Sequence, residues 1–103
     1  MRLVKRPQFL LDLAEELTNL NNKAGSDIAE RWYQSLEMTV QQLKTHPYIG
    51  RKRLDLKPEG IRSWRLKKYS RWLIFYFVRE NDLILLRVRY ASMDLPALQF
   101  QTD

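Results

Sequence analysis

Arginine is the residue that could do chemistry in this chain. Between Arg51 and Arg71, nine side chains are Lys or Arg and two are acidic. Further on, Arg87 and Arg89 alternate with Val88 and Tyr90. Guanidinium groups at this density can hold phosphates or carboxylates through paired N–H donors. They could also stabilise the phosphorane of RNA transesterification, given a base for the 2′-OH proton and an acid for the leaving oxygen. The candidates for such cleavage are Arg65, Arg87, Arg89 and Tyr90. Proton carriers are scarce. The chain has no cysteine, which excludes disulfides, thiolate metal sites and cysteine nucleophiles. Its one histidine, His46, precedes Pro47 and reads as a helix-end residue; a lone His makes no His-rich metal site. Tyr and Lys have reference pKa values of ~10 and ~10.4, so either needs a large shift to act near neutrality. The acids Asp55, Glu59 and Asp94 are available, but Asp94 reads as a cap on a last turn. No metal and no cofactor is expected, and the balance leans towards binding rather than catalysis.

The charge is unevenly placed. Residues 1–46 carry six basic and six acidic side chains, whereas residues 47–103 carry twelve basic and six acidic. The whole net charge of +6 therefore sits in the second half. Such asymmetry points to a polyanionic or acidic partner. At 103 residues, 45% apolar and 29% charged, residues 1–103 are expected to form one domain with a real core. The start, Met1-Arg2-Leu3-Val4-Lys5-Arg6, lacks an apolar stretch of signal-peptide length, and no run approaches a membrane span. The expectation is a soluble, cytoplasmic protein with no membrane partner.

The elements that must position these residues change period part-way along the chain. Leu3-Val4 reads as a brief edge strand. Pro7 suits a first helical turn, and Phe9, Leu10, Leu13, Ala14, Leu17 and Leu20 follow at helical spacing. Asn21-Asn22 and Gly25 end that helix. A second helix is expected from Ser26 or Asp27, with Asp27 and Glu30 at capping-box spacing. Its stripe is Ile28, Trp32, Leu36, Val40 and Leu43, and Pro47 and Gly50 stop it. From about Gly60 the period becomes two. Three strands are predicted, near Ile61–Lys67, Arg71–Val78 and Leu83–Tyr90, as an antiparallel meander. The continuous run Leu73–Val78 suits a strand covered on both faces. Strict alternation would put Ile84, Leu86, Val88 and Tyr90 on one face and Leu83, Leu85, Arg87 and Arg89 on the other. A last helical turn is predicted at Asp94–Leu98. The order is β-α-α-β-β-β, an α+β fold with a helical hairpin on one face of a small, mostly antiparallel sheet.

Parity also sorts the candidate contacts. Arg62 and Arg65 fall on opposite sides of their strand unless a bulge intervenes. Arg51-Lys52-Arg53 reads as a basic loop. Arg87 and Arg89 read either as a solvated face or as part of a cationic groove for an acidic segment. Trp32, Trp64 and Trp72 read as core, away from the arginines, which argues against a base-stacking platform. Leu11, off its helix stripe, and Leu95, Leu98 and Phe100 in the tail are apolar residues that either close the core or meet a partner. The residues expected to bind a target or partner are thus Arg51, Arg53, Arg62, Arg87, Arg89, Leu11, Leu95 and Leu98.

Taken in order, these pieces resemble the ParE/RelE superfamily of toxins from bacterial type II toxin–antitoxin pairs. The likeness covers nearly the whole chain. It runs through Asp12-Leu13 in the first helix, then Leu43, Pro47 and Gly50-Arg51. It continues with Gly60-Ile61-Arg62-Ser63-Trp64, Tyr69 and Leu73-Ile74-Phe75-Tyr76, and ends at Arg87-Val88-Arg89-Tyr90-Ala91-Ser92-Met93-Asp94-Leu95. Tyr90 stands where many relatives have His, Met93 where they often have Arg, and Ser70-Arg71-Trp72 look like extra residues. The ParE branch is favoured. The resemblance implies a growth-inhibiting toxin that binds DNA gyrase without established enzymatic activity, silenced by a cognate antitoxin and able to form a hetero-oligomer with it. The alternative is the RelE branch, whose members cut mRNA on the ribosome as metal-independent endoribonucleases. A plain basic nucleic-acid-binding module is a further alternative.

Overall fold

The computed structural model describes residues 1–91 and Phe100. The expected helical turn at Asp94–Leu98 and the contacts of Leu95 and Leu98 lie outside the described residues. Strand β1 (Arg2–Lys5) leads into helices α1 (Pro7–Ala24) and α2 (Ser26–Thr45). Strands β2 (Arg51–Lys52), β3 (Arg62–Leu66), β4 (Tyr69–Arg79) and β5 (Asp82–Tyr90) follow. They form one five-stranded sheet in the order β1-β5-β4-β3-β2. The strand pairs are antiparallel except β1 with β5, which is parallel. The α+β reading holds: two helices pack on one face of an open mixed sheet. No helix among the described residues is long and apolar enough to cross a membrane.

The helices form where the apolar stripes require. Pro7 opens α1 at its first position, where no N–H is needed. Gly25, at a φ of 93°, closes α1 and opens α2, so one left-handed glycine makes the hairpin. No side chain caps α2, and its first residue is Ser26. The expected Asp27–Glu30 capping box is therefore absent, because Gly25 takes the cap position. Phe9, Trp32, Leu36, Val40 and Leu43 are buried from the helix side, against Leu66, Ile74, Tyr76, Leu83, Leu85 and Val88 from the sheet. Two hydrogen bonds tie the β3–β4 turn to α2: Ser35 donates its hydroxyl to the Lys67 carbonyl, and the Lys67 N–H donates to the Thr39 hydroxyl.

The other face of the sheet is covered too, by a loop rather than a helix. Leu56 and Ile61 from the β2–β3 connection bury against Phe75, Ile84 and Leu86, and Phe100 packs beside them. This explains why β4 is apolar at consecutive positions: Ile74 and Tyr76 face the helices, Phe75 and Phe77 the loop.

Two expectations need correction. Arg51-Lys52 is an edge strand paired with Ser63 and Arg62, not a loop. The strict alternation along β5 also fails. Phe75 pairs with Arg87 and Tyr76 with Leu85, so Leu86 is an extra, bulged residue. Each position beyond it is shifted by one. Ile84 and Leu86 lie on the loop side, while Val88 joins Leu83 and Leu85 on the helix side. Side-chain period alone cannot reveal an inserted residue.

Candidate functional site

Asp12 is where the helices and the basic strand meet. It sits on the buried stripe of α1 with a side-chain exposure of 1%. Strand β1 shields the edge of β5 only as far as Leu85, where the Arg6 N–H donates to the Leu85 carbonyl before α1 begins. Beyond that point the edge of β5 needs another partner. Asp12 supplies one, accepting from the Val88 N–H at 3.2 Å. Arg87 donates to both carboxylate oxygens, from Nε at 2.7 Å and from Nη2 at 3.0 Å. Arg89 adds a contact at 3.4 Å and Gln8 one at 3.2 Å. A buried carboxylate satisfied by a bidentate guanidinium and a backbone N–H is strongly held. Arg87 and Arg89 are therefore largely buried around an acid, which neither a solvated face nor an open groove describes.

A second cluster joins the end of α2 to the centre of the sheet. The Tyr76 side chain is fully buried, and burial raises the pKa of its hydroxyl. That hydroxyl donates to the Pro47 carbonyl and accepts from the Gly50 N–H, both at 2.9 Å. A Cβ at Gly50 would run into the Tyr76 hydroxyl, so the close approach requires glycine. Arg62 completes the turn by donating to the Tyr48 and Gly50 carbonyls and stacking on the Tyr48 ring. The Pro47–Gly50 turn and Tyr76, far apart in sequence, are thus one hydrogen-bonded unit. His46 caps α2 through its backbone N–H.

The sheet face away from the helices carries three further arginines. Arg51, Arg53 and Arg65 line a cleft of about 250 Å³ with Ser63, Ser70 and Leu73. Arg51 and Arg65 are exposed. Arg53 is buried: it donates to both oxygens of Asp55 and to the Ser63 hydroxyl, and its guanidinium lies over Phe75. The Asp55 carboxyl is lowered to about 2 by its hydrogen bonds from Arg53. Arg62 and Arg65 occupy opposite faces, as parity predicts, with Arg62 on the helix side. Tyr90 does not share a face with Ile84 and Leu86. It packs edge-on against Trp72, at 4.8 Å between centroids, and its hydroxyl accepts from Arg71. Leu11 is 63% exposed on the outside of α1. Trp32 and Trp72 stack edge-to-face in the core.

In sum of chemistry, the exposed part of this face can attract and orient an anion. Among the described residues, the cleft lining places no base beside its hydroxyls, Ser63 and Ser70. Among the described residues, no group of three or more His, Asp or Glu side chains is placed to hold a metal ion.

The family model described as "ParE toxin of type II toxin-antitoxin system, parDE" matches residues 3–95. The chain belongs to the ParE toxin family. The match spans both clusters described above. Toxin ParE3 of Caulobacter vibrioides is 28% identical over 96 residues, covering 93% of this chain and 92% of that protein. Among solved structures, the chromosomal ParDE TA system from P. aeruginosa contains a chain that superimposes with a TM-score of 0.73. It is 19% identical, covering 87% of this chain and 95% of that one, so this likeness is one of fold. In this ParE-family chain, the Asp12 and Tyr76 clusters tie the helices and the turn after them to the sheet, while Arg51 and Arg65 stay exposed.

Proposed function

We propose that this ParE-family toxin arrests growth in the cytoplasm by binding DNA gyrase, and that a cognate antitoxin neutralises it by covering its basic surface. The observation that carries the reading is the placement of the candidate cleavage residues. Arg87 and Arg89 surround the buried Asp12, and Tyr90 lies against Trp72. Of the four, only Arg65 stands exposed on the open face. A cation can steady a developing negative charge, but RNA cleavage also needs groups that move protons. Binding needs only the charge and the shape. Arg51, Arg65 and Leu11 are the residues an acidic, partly apolar antitoxin would meet, with Arg62, Leu95 and Leu98 as further contacts. Membership of a family of type II toxin–antitoxin toxins supports such a partner.

The test pairs two measurements. The purified chain is added to a DNA gyrase supercoiling assay, with and without its cognate antitoxin. Transcript 5′ ends are mapped in arrested cells. Inhibited supercoiling, relieved by the antitoxin, is the expected result. Codon-phased mRNA cleavage that vanishes in Arg65→Ala or Tyr90→Phe, with supercoiling untouched, would make the ribosome and mRNA the target instead.

A further inference from the structure

Beyond the open face, the β2–β3 connection builds a second surface. A cleft of about 350 Å³ opens between this loop and the sheet edge. Its apolar lining is Leu54, Leu56 and Ile61, and its basic walls include Lys52, Lys57 and Arg62. Leu56 and Ile61 are buried, but Leu54 is 89% exposed, the most exposed large apolar side chain described. The loop that carries it is pinned. The Arg53 N–H donates to the Ile61 carbonyl at 2.9 Å, the Leu56 N–H to the Arg53 carbonyl at 3.3 Å, and the Arg53 guanidinium to Asp55. Leu54 is therefore held in water by an ordered backbone.

The apolar surface does not end at the cleft. Arg62, which lines it, lies 5.2 Å from the centre of the Tyr48 ring. Tyr48 and Ile49 are exposed too. An isolated exposed leucine is ordinary, whereas Leu54 beside a cleft lined by Arg62, with the exposed Tyr48 ring on that arginine, makes a patch. Its composition, an aromatic, an arginine and aliphatic anchors beside a pocket, is that of an interface centre. Its charge selects the occupant. Among the described residues, no carboxylate forms an ion pair with Lys52, Lys57 or Arg62, and Glu59 is the one acid in the cleft lining. A second copy of this chain, at net charge +6, would be repelled.

We propose that this cleft takes an acidic protein segment, with an apolar side chain seated beside Leu54 and carboxylates on Lys52, Lys57 and Arg62. The cleft adjoins the Arg51–Arg65 face through Arg53, which lines both, and the proposal does not depend on gyrase being the target.

The test is a methyl NMR titration of the full chain with a short synthetic peptide of aspartates and glutamates around one leucine. Saturable shifts are expected at Leu54, Leu56 and Ile61. Affinity should fall more than about tenfold when the peptide leucine becomes alanine, and likewise in Leu54→Asp, as when an interface anchor is lost. Leu54→Asp should fold normally, because its side chain is in solvent. Lys57→Glu should weaken binding most at low salt. Three results would each overturn the proposal: no saturable shift at these methyls, stronger shifts there with a short DNA duplex, or the same shifts on raising protein concentration alone. A failed supercoiling assay would bear on the gyrase reading and leave this titration unaffected.

Discussion

Asp12 and Asp55 both answer arginines, and the two pairings stand at opposite extremes. Asp12 is buried, accepts from Arg87, Arg89 and the Val88 N–H, and joins α1 to β5 across 75 or more residues of sequence. Asp55 is two residues from Arg53, with 42% of its side chain exposed. The geometry of each guanidinium contact is similar; the surroundings are not. In the interior, losing one partner strands the other's charge without water. At the surface, water replaces the partner at little cost. Arginines of one chain thus divide between those that hold the fold together and those left for a partner.

Removing the inner acid should have the largest effect. Asp12→Ala should cost about 3–5 kcal/mol in chemical denaturation, because two arginines and the Val88 N–H lose their acceptor. A loss below about 1 kcal/mol would mean that water reaches the site and that the two pairings are alike.

Tyr76→Phe sharpens the interior side without touching a salt bridge. The Gly50 N–H and the Pro47 carbonyl would lose their shared partner, at about 1–3 kcal/mol. Hydrogen exchange at the Gly50 amide should speed up together with the lost stability. Unchanged protection would show that the Pro47–Gly50 turn is held by Arg62 alone.

The outer pairing should respond weakly, and to acid. The folded Asp55 carboxyl titrates at about 2, below the ~3.9 of an unfolded chain. Its contribution is therefore present above ~3.9 and lost as the pH falls through its folded value. Because the group is well exposed, Asp55→Asn near neutral pH should cost less than about 1 kcal/mol. Carboxyl NMR titration checks the midpoint; one near the unfolded value would mean the Arg53 contact does not persist in solution.

Smallest in stability and largest in binding should be the free-standing cations. Arg51→Ala and Arg65→Ala should each change stability by no more than about 0.5 kcal/mol. Both should slow association with the antitoxin at low salt, and the difference should shrink as salt rises, because screening acts beyond ~10 Å at 0.1 M ionic strength. Association rates that ignore both salt and these substitutions would leave the partner only apolar contacts.

The helices, the three long strands and their α+β arrangement were legible because each rests on a local period: Phe9-Leu13-Leu17 at helical spacing, Trp64-Leu66 at strand spacing, Leu73–Val78 as a run covered on both sides. The motif pieces carried the family as well. The candidate site was legible in its charge but not in its geometry. Gly25 displaced the expected capping box, since a left-handed turn between two helices leaves no room for one. The Leu86 bulge reversed the facing of half of β5, because one unpaired residue changes parity without any mark in composition.

By itself, the amino-acid sequence determined that the protein has a basic second half, lacks cysteine and has one histidine, and that its apolar residues recur first at helical and then at strand spacing. These are properties of residue types and intervals, which the chain carries before it folds. Which arginines are available was decided only by tertiary structure. Arg87, Arg89 and Arg53 became part of the scaffold because folding brought each beside a carboxylate. Arg51 and Arg65 stayed exposed because the strands that carry them turn them to the face no helix covers. Whether a charge is buried beside an acid or open to a partner depends on what lies within a few ångströms of it, and residues 75 apart in sequence become neighbours only when α1 packs on β5.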